Sequence, residues 1–137
     1  MTDLLVKHIN KFMGSARRIA AGSRQDIWNA IHASTVHYMA AHSASFFLQS
    51  SRIIGEIRHI DDSIKTTMKE LEEIEEELIE LSLQIPSHDQ FLKFQAGFTN
   101  LKSRFNILNE NAEIIAEKKD ELLRLIADDR SSGVITI

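Results

Sequence analysis

Six histidines, His8, His32, His37, His42, His59 and His88, are the side chains of this sequence best suited to chemistry, as metal ligands or as acid–base groups near neutral pH. His32, His37 and His42 recur every five residues. On a helix each such step turns the side chain by about 140°, so no two of them share a face as ligands at i and i+4 do. No His-Glu-x-x-His occurs, and His8, His59 and His88 gather no ligand set around them. The expectation is surface or interface histidines and no metal.

Nucleophilic chemistry has even less to build on. The chain holds no cysteine, which removes a thiol nucleophile, a zinc knuckle, an iron–sulfur site and any disulfide. Serines are numerous, but none stands in a Gly-x-Ser-x-Gly elbow, and no glycine-rich loop could cradle a phosphate. No catalytic residue, cofactor or small-molecule substrate is expected, and the chain is read as a non-enzyme. A histidine-using sensor or enzyme stays as a third class because six histidines are there.

The elements that would position such groups follow from what is scarce. With 5 glycines and 1 proline in 137 residues, and three valines (Val6, Val36, Val134), there is little from which to make hairpins and strands. The fold class is all-α. The opening MTDLLVKHIN has no signal-like apolar core, and no apolar run reaches the roughly 18 residues of a membrane span, so a soluble, cytoplasmic protein is expected. Residues 1–60 carry seven Lys/Arg against three acids, a charge of +4 that leaves −8 on the rest. Glu70, Glu72, Glu73, Glu75, Glu76, Glu77 and Glu80 follow one another with no basic residue between. That face would repel nucleic acid and anionic membranes, and is read as a solvated face.

Punctuation then divides the chain. Thr2 would cap an amphipathic helix over 1–22 carrying Leu5, Ile9, Phe12, Ala16 and Ile19, with Gly22 closing it and Ser23 opening the next. A long helix is expected over 23–85, broken by Pro86. A third helix, 86–127, would be opened by a capping box of Ser87 and Gln90, and 128–137 would be a flexible tail.

Two heptad series run through the long helices. In the first, Ile57, Ile64, Leu71, Leu78 and Ile85 alternate with Ile60, Thr67, Ile74 and Leu81. In the second, Phe91, Phe98, Phe105, Ala112, Lys119 and Ile126 alternate with Phe94, Leu101, Leu108, Ile115 and Leu122. Parallel self-pairing would set Glu70 against Glu75 of a mate. Folding back at Pro86 instead layers Leu81 on Phe91, Leu78 on Phe94, Leu71 on Leu101 and Ile57 on Ile115. It also brings Glu70 to Arg104, Glu56 to Lys118 and Glu75 to Gln95. An antiparallel coiled-coil hairpin forming an elongated rod is therefore expected, with the short first helix beside it.

A helix of about 20 residues spans roughly 30 Å and cannot cover such a rod. Ile79, Leu83, Leu123 and Leu125, off the heptad seam, would then need a partner, as would Trp28 and Phe47 in the small-residue segment from Ala30 to Ser51 and its flank. Residues 3–20 would suit an acidic membrane surface less well than another helix. Val134-Ile135-Thr136-Ile137 has the pattern of a peptide that adds to a sheet edge, with a frayed end the simpler expectation. In size and texture the chain resembles the small helical subunits of elongated organelle-positioning, tethering or kinetochore assemblies, a likeness of architecture without a motif. The expected role is a scaffold, tethering or adaptor subunit whose partners are other helical or coiled-coil chains. The alternative is a self-contained helical-bundle regulatory or chaperone-like module, alone or as a homodimer.

Overall fold

Ser43 interrupts a stretch in which neither glycine nor proline marks a break. Its backbone is extended (φ −134°, ψ 144°) and its hydroxyl accepts the Phe46 N–H at 3.2 Å, so it is the N-cap of a new helix. The computed structural model describes residues 2–38, 43–83 and 88–135, and the side chains of 4–38, 43–83 and 88–131. These form three helices, α1 (Thr2–Tyr38), α2 (Ala44–Ser82) and α3 (His88–Ile135). No strand occurs among the described residues.

The boundaries differ from those expected at three places. Helix α1 runs through Gly22 rather than ending there, because Ser23 is buried on the packed face of α1 and does not cap a new helix. Gly22 has negative φ and open space around it, so it costs the helix only the roughly 1 kcal/mol of a glycine in place of alanine. The expected 23–85 helix is two helices, α1 and α2, since a single rod would leave the apolar face of residues 23–38 uncovered. Finally, α3 continues past residue 127 to Ile135, held by a buried Asp129 where a flexible tail was expected. The cap residues Pro86 and Ser87 and the seam residue Ile85 lie outside the described residues, as does the side chain of Thr2.

Helix α1 lies antiparallel to α2 and parallel to α3. Arg17 reaches Glu75 at 3.0 Å and Tyr38 reaches Ser50 at 3.2 Å, while Phe12 meets Phe98, Asp26 meets Lys119 and His37 meets Asp129 in rising order. The buried positions of α1 are Ile9, Met13, Ala16, Ser23, Ile27, Ala30, Ser34 and His37, a spacing of four and three along one face. Small residues on this face permit close helix approach. On α3 the buried residues Phe94, Leu101, Leu108, Ile115, Leu122 and Asp129 recur every seven. The intervening Phe98 and Phe105 are partly buried, each meeting the edge of Phe12 with ring centroids 5.4 and 5.6 Å apart.

Helices α2 and α3 run antiparallel. Glu70 and Arg104 pair at 3.0 Å and Glu56 and Lys118 at 2.6 Å. Ile57, Ile64, Leu71, Ile74 and Leu78 of α2 are buried, and Ile60 and Leu81 pack partly buried against the same core. Phe91 is more than a third exposed instead of joining that seam, because it stands in the first turn of α3. A Cβ on Gly97 would meet Leu78 Cδ2 at 2.7 Å, so the two helices approach closely there. Gly97→Val should lower stability by about 1–3 kcal/mol through overpacking against the buried Leu78. Gly22→Ala, in open space, should raise it by about 0.5–1 kcal/mol. Urea denaturation of the two variants checks the contrast; equal midpoints would remove the close approach from the account.

Candidate functional site

At the end of the bundle where α1 turns into α2, a group of polar side chains replaces the apolar core. His37 and Asp129, 2 and 4 % exposed, fall in the heptad rows that begin with Ile9 on α1 and Phe94 on α3. His37 Nε2 stands 2.8 Å from Asp129 Oδ2, and the Ser43 hydroxyl donates to Oδ1 at 2.7 Å. An ionised carboxylate only accepts, so the bond to His37 requires its proton on Nε2. His37 Nδ1 and the Ser34 hydroxyl, both buried, have no hydrogen-bond partner among the described residues. Phe46 packs its ring against His37 with centroids 4.6 Å apart, closing the cluster from the α2 side. Beside it the Ser50 hydroxyl holds the Tyr38 phenol below its ordinary value, opposed by a smaller upward push from burial.

The three groups include the residue types of a serine-hydrolase triad, yet their order is wrong for one. In a triad the imidazole stands between the hydroxyl and the carboxylate and takes the serine proton. Here the carboxylate stands in the middle and binds each partner through a different oxygen. Ser43 also accepts the Phe46 N–H while donating to Asp129, which places the carboxylate at the N-terminus of α2 where the helix dipole favours negative charge. The cluster is a clasp joining the C-terminal part of α1, the start of α2 and the last turns of α3.

Sequence reasoning passed over this clasp, although a signal was present. Continuing the α3 series by seven from Leu122 reaches Asp129, and continuing the 9–16–23–30 series of α1 reaches His37. It also passed over Glu56 and His59, which stand at Glu-x-x-His spacing, half of a dimetal carboxylate pattern. The Glu56 carboxylate is occupied by Lys118 and Arg52, and His59 is exposed. Among the described residues no three His, Cys, Asp or Glu side chains gather as a metal site.

The hydrogen bond from Lys118 holds the Glu56 carboxyl below the usual carboxylate range, and Glu56 in turn raises Lys118. A lowered carboxylate contributes stability above its unfolded pKa and loses it as pH falls through the folded one. The raised lysine contributes below its unfolded pKa and loses its share as pH rises through the folded one. Both side chains reach solvent, so the pair acts mainly on register. The Glu70–Arg104 pair is similar: reversing Glu70 to Lys and then Arg104 to Glu should show a coupling of about 0.5 kcal/mol in a double-mutant cycle. Zero coupling would mean that the charges do not hold the register.

The six residues singled out as partner contacts divide into two groups. Trp28, Phe47, Leu83 and Leu123 are exposed, Trp28 by 60 % and Leu83 by 73 %. Ile79 and Leu125 instead pack partly buried against the core. Ile79 lies level with the first part of α1, beside the Arg17–Glu75 contact, whereas Leu125 lies level with the part of α1 beyond residue 22, between the Asp26–Lys119 and His37–Asp129 contacts. Glu75 likewise pairs with Arg17 of α1 and not with Gln95. Near the α1–α2 turn, Val36 and Leu48 add to the exposed apolar surface, and Phe47 stacks on Tyr38 with centroids 5.2 Å apart. Trp28 stacks on His32, one turn later on α1, with ring centroids 4.8 Å apart. No described helix is long and apolar enough to cross a membrane. Side chains of the Val134–Ile137 terminus lie outside the described residues. Compared with protein-family models, curated proteins and solved structures, the chain matches none of them.

Proposed function

We infer that the chain is a non-catalytic helical rod, a scaffold, tethering or adaptor subunit inside the cell that docks other helical chains by helix–helix packing. The observation that carries this is the exposed apolar surface near the α1–α2 end, where Val36, Phe47 and Leu48 stand outside the core, together with exposed Trp28 further back along α1 beside Asp61. Large apolar side chains on a soluble surface are most economically explained as contacts for another protein, and Trp is the residue most enriched at the centres of such contacts. The clasp supports the same role, since it holds the end of the rod that carries these residues. The 3.5-residue period of α2 and α3 supports reading their pairing as an antiparallel coiled-coil hairpin.

A second reading, a self-contained bundle acting as a regulatory or chaperone-like module or as a homodimer, is favoured by the cover that α1 provides. With Ile79, Leu125 and Met68 packed against the core, the chain does not need a partner in order to fold. Two measurements separate the readings. Light scattering on the isolated chain should give mixed oligomers or poor recovery if it is an obligate subunit, and a clean folded monomer or dimer under the second reading. Trp28→Gln with Phe47→Gln should abolish recovery of co-purifying helical proteins while circular dichroism stays unchanged. Full recovery with both residues replaced would sink the scaffold reading.

A further inference from the structure

At the opposite end of the bundle, α1 and α3 line a groove of about 700 Å³. Its apolar surface is Leu5 and Phe12 from α1 with Phe91, Phe94 and Phe98 from α3, the rings of Phe94 and Phe98 stacked at 6.2 Å between centroids. Its polar residues are His8, Gln95, Thr99 and Lys102. Although the chain as a whole carries a net charge of −4, this lining has no acidic side chain. Lys102 Nζ lies 5.1 Å from the centre of the Phe98 ring and has no ion pair among the described residues. A groove of 300–1,000 Å³ that is mostly aromatic, with a few polar groups at one side, has the make-up of a small-ligand site between helices.

We propose that this groove binds an amphipathic monoanion of the fatty-carboxylate class, its acyl chain along the phenylalanines and its carboxylate on Lys102. The charge of the lining selects the sign, because an incoming carboxylate gains a partner at Lys102 and meets no acid. The ammonium would exchange a contact with a ring face for a charge-assisted hydrogen bond. Thr99 stands one turn before Lys102 with its hydroxyl donated to the Gln95 carbonyl at 3.0 Å, and Gln95, two turns before Lys102, adds a side-chain amide to the polar lining. The geometry also selects the length. From Phe91 to Lys102 the helix rises about 16 Å at 1.5 Å per residue, the reach of an extended twelve-carbon acid. The site lies at the end of the rod away from Trp28 and Phe47, so it stands apart from the docking function proposed above.

The test is a titration of the full chain with laurate below its micelle concentration, followed by calorimetry and by amide shifts in the nuclear magnetic resonance spectrum. Saturable one-to-one binding is expected, with shifts confined to residues 5–12 and 91–102. Lys102→Glu, a change at an exposed position that should leave the fold intact by circular dichroism, should weaken laurate at least tenfold and leave dodecanol unchanged. Lys102→Arg should retain binding. Absence of saturation, equal laurate affinity in Lys102→Glu, or shifts centred on Trp28 would overturn the proposal. So would a dimer in light scattering whose formation alone moves the groove resonances, since a second copy would then be the occupant.

Discussion

Leu71→Asp should leave the chain without a cooperative thermal transition, because Leu71 is 1 % exposed and is surrounded on α2 by other core positions. Truncation to alanine at such a site costs about 2–5 kcal/mol from lost burial and the cavity left behind. An aspartate adds a carboxylate with no basic partner, which must be ionised in an apolar interior or protonated at further cost. The sum is comparable with the whole stability of an ordinary domain, about 5–15 kcal/mol. Leu101→Asp, from the fully buried row of α3, should do the same. A control at exposed Glu73, changed to Gln, should stay within about 0.5 kcal/mol of the native chain. Far-UV circular dichroism against temperature distinguishes these outcomes. A native-like melt for Leu71→Asp would show that the three helices do not share one core.

The second large effect is expected at the clasp. Asp129→Ala removes the acceptor of both His37 and Ser43, leaving one buried and one partly buried donor unmatched, and should cost about 3–5 kcal/mol. Removing both members of the pair should cost less than removing one. His37→Leu with Asp129→Leu replaces two buried polar groups by apolar ones of similar size, and such exchanges are often neutral or stabilising. Ser43→Ala should cost about 1 kcal/mol through loss of the α2 cap. Urea denaturation gives these differences, and hydrogen exchange locates them. In Asp129→Ala, protection should fall first in α3 beyond Leu122 and in the first turns of α2. If the single variant is as stable as the native chain, the polar cluster does not hold this end of the three helices together.

Much of the core was legible in the sequence because period and polarity are local properties. The rows Ile57, Ile64, Leu71, Leu78 and Leu101, Leu108, Ile115, Leu122 repeat every seven residues, and each of these side chains is buried. Charges at the flanks of those rows, Glu70 with Arg104 and Glu56 with Lys118, stand together because an antiparallel register sets them opposite one another. The break between α1 and α2 was less legible. It depends on Ser43 acting as a cap, and serine is common throughout residues 34–51. Gly22 was misleading for the opposite reason: glycine weakens a helix by only about 1 kcal/mol, less than the burial of Ile27, Ala30 and Ser34 beyond it secures.

By itself, the sequence determined that this protein is helical, which faces of α2 and α3 are apolar, and that cysteine chemistry is absent. The tertiary structure alone decided that α1 extends to Tyr38, that Ile79 and Leu125 pack partly buried against the core, and that His37, Asp129 and Ser43 meet across 92 and 86 residues of chain. The physical reason is the range of each effect. Helix formation and heptad polarity are set within a few turns, whereas the environment of a polar residue on a packed face is set by whichever side chain the opposite helix brings to the same level.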